Sequence, residues 1–111
     1  MIHRKDSIHD EIKKAWEKRG YVVDDMSQCD GKLDMHVYKR HNRATWRIEV
    51  KCGKNWKLTD AEANYIMAHL ECSRIIENED DVEQCAKGEL DPLRTLRAVQ
   101  LHNQKRSLKW R

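Results

Sequence analysis

The chain has 111 residues, of which 39% are hydrophobic and 37% charged, with four cysteines, no phenylalanine and a formal net charge of +3 at pH 7. That length suits one domain with a modest core, and the ordered recurrence of apolar positions excludes a disordered chain. No apolar run approaches membrane-spanning length and no signal-peptide pattern opens the chain, so a soluble, cytoplasmic protein without a membrane partner is expected.

Ser7 is a candidate N-cap for a first helix over 8–19. Ile8, Ile12, Ala15 and Trp16 fall on one stripe of it. Asp10 and Glu11 suit its first turn, Lys18 and Arg19 its last, and Gly20 sits where a helix-ending glycine belongs. Tyr21-Val22-Val23 begins a first strand, and Asp30-Gly31 signals a turn. Residues 33–38 and 45–51 read as two strands around a polar hairpin loop over 39–44. Gly53 to Lys57 is a basic loop containing Trp56. Thr59-Asp60-Ala61-Glu62 is a capping box that opens a helix running to about Glu71. Residues 74–76 read as a short fourth strand. Asn78 or Asp80 opens a short helix ending near Gly88, and Asp91-Pro92 starts a last one. Leu93, Leu96 and Val99 would form its apolar side, and the tail from Gln104 is expected to fray. The order α-β-β-β-α-β-α-α predicts an α/β fold, a small mixed central β-sheet flanked by helices. One domain over 1–111 is expected, with a basic C-terminal helix or tail from about 92.

Charge is unevenly spread. Residues 39–57 hold seven Lys or Arg and one acid, residues 92–111 six and none, and residues 71–91 eight acids and two basic residues. Two basic segments in a nearly neutral chain point to a polyanion partner, whereas a charge run taken alone is ordinary solvated surface. Cys29, Cys52, Cys72 and Cys85 fit no zinc-binding spacing and read as free, mostly buried thiols.

The chemistry concentrates in Leu33-Asp34 and Ile48-Glu49-Val50-Lys51. Residues two apart on a strand share a face, so Glu49 and Lys51 converge while Val50 points into a core. If the two strands pair, Asp34 comes beside Glu49. Two carboxylates and an ammonium suit a hard divalent cation and a polarised water. Glu-x-Lys alone is more often a surface ion pair, and the acid fifteen residues earlier sharpens the signal. For Glu62 the capping box is a sufficient explanation. His36 shares Asp34's face, and a histidine satisfied by a neighbouring acid is the plainer reading. The other five histidines show no ligand spacing.

On these motifs, with helix one ending in Gly20-Tyr21 and with Leu58-Thr59-Asp60-Ala61-Glu62, the chain from about 7 to 84 resembles the PD-(D/E)xK nuclease superfamily. Within it the chain is similar to small stand-alone VRR-NUC and Holliday-junction-resolvase-like domains. The resemblance implies a restriction-endonuclease-like core, with Asp34 and Glu49 as metal ligands and the Val50 carbonyl adding an oxygen. It makes Lys51 the residue that orients the attacking water, and Glu11 the helical glutamate completing the acidic cluster. Glu11 equally suits the helix dipole, and Asp10 competes for either role. Leu33 stands where the family has proline, and Glu62 where it often has glutamine.

The implied function is a Mg²⁺-dependent DNA endonuclease, Mn²⁺ substituting, that hydrolyses phosphodiester bonds of branched or junction DNA. Lys39, Arg40, Arg43, Lys54 and Lys57 would hold backbone phosphates, and Trp56 would stack on DNA or pack on the domain edge. Symmetric cutting of a four-way junction predicts a homodimer. The small stand-alone form suggests a phage-encoded role in recombination or repair. The alternative is a non-catalytic nucleic-acid-binding module of the same fold.

Overall fold

The structure, a computed structural model, describes the backbone of residues 4–109 and, within it, the side chains of residues 7–41 and 45–105. Four helices and four strands follow in the order α1 (Arg4–Lys18), β1 (Val22–Asp25), β2 (Met35–Lys39), β3 (Asn42–Val50), α2 (Asp60–Ala68), β4 (Ser73–Ile76), α3 (Glu79–Ala86) and α4 (Pro92–Lys109). The strands form one mixed sheet in spatial order β1-β2-β3-β4. The first three pair antiparallel, and β4 joins β3 in parallel after the α2 crossover.

Alternation along the strands sends side chains into two cores. Met35, Val37, Ile48, Val50 and Ile76 pack with Ile12, Ala15 and Trp16 of α1 and Val82 and Cys85 of α3. Leu33 and Ile75 pack on the other side with Leu58, Ala63, Tyr65 and Ile66 around α2 and Val99 of α4. Helices therefore cover both faces of the sheet, as the element order predicts. No helix among the described residues is long and apolar enough to cross a membrane.

The punctuation signals hold where they are local. Gly20 has a φ of +86°, and its amide and that of Tyr21 bond to the carbonyls of Glu17 and Trp16, closing α1 in a Schellman motif. Asn78 caps α3 by accepting from the Asp81 amide at 2.9 Å.

Four expectations need correcting. Helix α1 begins at Arg4, so Ser7 lies exposed inside the helix and is not its cap. No glycine or proline stands before Ser7 to stop helix propagation. The 39–44 loop shrinks to Arg40-His41, because Asn42 continues the ladder opposite Lys39 across a register shift. Helix α4 runs on to Lys109, and it buries Thr95 and Val99 while Leu93 is half exposed. Ion pairs from Arg94 to Glu77 and Asp81, and the contact of His102 Nε2 with Asp60 Oδ1, set that rotation. Of the four free thiols only Cys85 is fully buried; Cys29 is exposed in the loop before Asp34.

Candidate active site

The register of β2 and β3 places the two carboxylates. Met35 lies opposite Ile48, so one further step of the same register sets Asp34 opposite Glu49. The β1–β2 loop folds back on this point: the Met26 amide donates to the Asp34 carbonyl at 2.8 Å. Beyond the last ladder pair, the Val50 amide donates to Asp34 Oδ2 at 2.8 Å. Asp34 and Glu49 are both buried, at 8% and 1% exposure. Val50 sends its side chain into the α1 core, and Lys51 shares Glu49's side as alternation requires.

Lys51 Nζ is held between two carboxylates. It donates to Glu62 Oε1 at 2.9 Å and lies 3.1 Å from Glu49 Oε2. The second contact lacks hydrogen-bond geometry, so Glu49 Oε2 is a buried oxygen without a directed partner among the described residues. Glu62 belongs to the capping box and to this group at once. Its Oε1 also accepts from the Thr59 amide at 2.9 Å, while Thr59 Oγ1 accepts from the Glu62 amide at 3.1 Å.

These contacts divide the charges unequally. Burial, then the bond to Glu62 and the nearby charges of Asp34 and Glu62, push Glu49 up to about 9 against the pull of Lys51. Burial alone would lower Lys51, but its bond to Glu62 and the two carboxylate charges raise it. Burial would likewise raise Glu62, yet the bonds from Glu49, the Thr59 amide and Lys51 together lower it. In this state the group at neutral pH is a protonated Glu49 beside an ionised Glu62–Lys51 pair.

The other predicted residues are scattered. Glu11 is exposed on α1, without a hydrogen bond or ion pair to Asp34, Glu49 or Lys51 among the described residues. No group of three or more His, Cys, Asp or Glu among the described residues is placed to hold a metal ion. Lys54 and Lys57 are exposed on the loop that leaves Lys51, at the site's end of the sheet. Lys39 and Arg40 lie at the opposite end of the hairpin, about five residues or roughly 17 Å along the strand from Asp34. Lys39 there sits 5.0 Å above the Tyr21 ring and, with Arg40, His41, Gly20 and Val22, lines a shallow cleft of about 330 Å³. The side chain of Arg43 lies outside the described residues, although its backbone belongs to β3.

Trp56 packs against the α2–α4 core and donates its indole N–H to Glu77, which fits the domain-edge reading rather than a free stacking platform. His36 finds a hydroxyl and not an acid: its Nε2 lies 3.3 Å from the Tyr65 hydroxyl. Sequence reasoning set Glu62 aside because the capping box explained it. The signal available was the family's polar residue at that position, on a helix that crosses behind β3.

Comparison with protein-family models, with curated proteins and with solved structures finds no match to this chain.

Proposed function

We propose that this protein is a Mg²⁺- or Mn²⁺-dependent deoxyribonuclease with a restriction-endonuclease-like core. The observation that carries the reading is the convergence of Asp34, Glu49 and Lys51 at one end of β2 and β3, on a sheet whose fourth strand returns in parallel beside β3. The donor set fits a hard dication: two carboxylates, one of them Glu49 with an oxygen lacking a directed bond, and the Val50 carbonyl. Mg²⁺ takes one or two carboxylates and completes its shell with water and substrate phosphate oxygens, so a two-carboxylate set suffices. Glu11 would join from α1. Bound there, the ion supplies positive charge against the phosphoryl oxygens and activates water.

The chain's own residues do the rest. Asp34 is oriented by the Val50 amide, which donates to its Oδ2. Lys51, anchored by Glu62, presents its ammonium where the attacking water and the developing negative charge would lie. Lys54 and Lys57 would grip phosphates beside the cut. Lys39, Arg40 and Arg43, at the far end of the hairpin, would meet a second stretch of backbone. Basic segments this far apart favour a wide substrate such as a flap or junction, and a homodimer would cut a junction symmetrically.

A non-catalytic DNA-binding module is the competing reading, favoured by one observation: Lys51 is already held between two carboxylates. End-labelled single strand, duplex, flap and four-way junction, each incubated with Mg²⁺, Mn²⁺ or EDTA, separate the two. Metal-dependent cutting with a preferred shape is expected. Tight binding without cleavage of any form would establish the binding module instead.

A further inference from the structure

Arg47 is a cation that neither the acidic site nor the ion-pair networks of the described residues use. It lies two residues before Glu49 on β3, hence on the same face and about 7 Å along it. Its register partners are His36 on β2 and Ser73 on β4. Its guanidinium meets only neutral groups. Nη1 donates to Cys72 Sγ at 3.0 Å, the Tyr65 hydroxyl stands beside it, and Nε is buried without a partner. Among the described residues it forms no ion pair with a carboxylate, whereas Arg94 forms two.

A thiol sulfur is a weak acceptor, so a half-buried guanidinium held this way keeps most of its need for an anion. The surroundings add to that need. Lys32 Nζ approaches the Tyr65 ring at 5.7 Å. The backbone holds Arg47 rigidly: its amide donates to the Cys72 carbonyl at 2.8 Å. A planar, fixed fork of donors beside a site for a phosphodiester is the arrangement that takes a phosphate in two parallel hydrogen bonds.

We propose that Arg47 is a phosphate-binding residue, holding the DNA phosphate that neighbours the one presented to Asp34 and Glu49. The assignment rests on the nuclease reading and adds to it a fixed position for the strand. It makes Cys72 a positioning residue, acting through Arg47.

The test is duplex and flap binding in EDTA, followed by fluorescence anisotropy across a salt series, for wild type, Arg47→Met and Arg47→Lys. Lys87→Met, exposed at the end of α3 in the acidic stretch, serves as the control. Losing one phosphate contact should weaken binding by ~10-fold and lower the slope of log K against log salt by about one, while Arg47→Lys keeps the slope. Lys87→Met should leave both close to wild type. Arg47→Gln, which keeps a donor for Cys72, replaces the Met variant if that one loses its cooperative melt. Wild-type affinity and slope in a folded Arg47→Met or Arg47→Gln protein would overturn the assignment. A wild type that binds but never cuts overturns the nuclease reading, and the slope comparison on that same protein still decides Arg47.

Discussion

Two charge clusters in this domain, one partly exposed and one buried, behave differently. Around Arg94 every group is satisfied. Its guanidinium donates to Glu77 Oε2 at 2.6 Å and to both Asp81 oxygens at 3.0 Å. Asp81 also accepts from the Glu77 amide at 2.8 Å, and Glu77 from Trp56. That network ties the loop after β3 to α3 and α4, and each of its carboxylates accepts directed hydrogen bonds. Around Lys51, by contrast, Asp34 and Glu62 crowd a buried Glu49, which is driven to hold a proton, and one of its oxygens lacks a directed bond. A cluster built only for stability would resemble the first. The second retains a buried acceptor without a directed bond and a carboxyl that its burial and acidic neighbours force to hold a proton, the condition under which a cation binds.

The sharpest way to break the contrast is substitution at the second cluster with activity as readout. Asp34→Asn and Lys51→Ala should each lower metal-dependent cleavage by ~10²–10³-fold while leaving DNA affinity in EDTA within a few-fold. Arg94→Ala should do the reverse. Stranding Asp81 and Glu77 should cost about 2 kcal/mol in a denaturant melt, discounted because Arg94 is about a third exposed, with cleavage at low temperature nearly unchanged.

The pH dependence of stability, measured by denaturation in EDTA, sharpens it further. Glu49 rises from an ordinary 4.5 to about 9, so the folded protein keeps a proton that the unfolded chain releases. Its contribution is complete below the unfolded value and is lost as pH rises toward 9. Lys51 is raised, so it acts only above its ordinary value, and the lowered Glu62 acts only below its own. Between pH 7 and 9 stability should therefore fall, by up to about 1.4 kcal/mol per pH unit. Glu49→Gln should flatten that slope and abolish cleavage together. A wild-type curve that is flat over this range would contradict a protonated Glu49. The smallest effect belongs to Glu62→Gln. The cap survives and the charge on Lys51's anchor goes, which should cost ~1 kcal/mol and about a tenfold drop in cleavage at unchanged DNA affinity.

The first cluster was hardly legible in the sequence and the second largely was, for physical reasons. Asp34, Glu49 and Lys51 sit on adjacent antiparallel strands, where the two-residue period and a short connection determine what meets what. The same local rules mark the Thr59 cap, Gly20 and the Asn78 cap. Glu62 reaches Lys51 only because α2 crosses the sheet, a long-range packing outcome with no signature in spacing. The Arg94 network joins residues 13 and 17 positions apart on three elements, and it rotates α4 so that Thr95 is buried and Leu93 exposed. Leucine spacing alone therefore misplaced the buried face of that helix.

The most direct test of the central claim is single-turnover cleavage of the best-cut DNA by wild type and Lys51→Ala, each with Mg²⁺ and with EDTA. Cutting that requires both the ion and Lys51, with both proteins binding the DNA equally, is the predicted result. Cleavage that persists in EDTA or in the folded Lys51→Ala protein would contradict it and leave Asp34, Glu49 and Lys51 as a structural cluster.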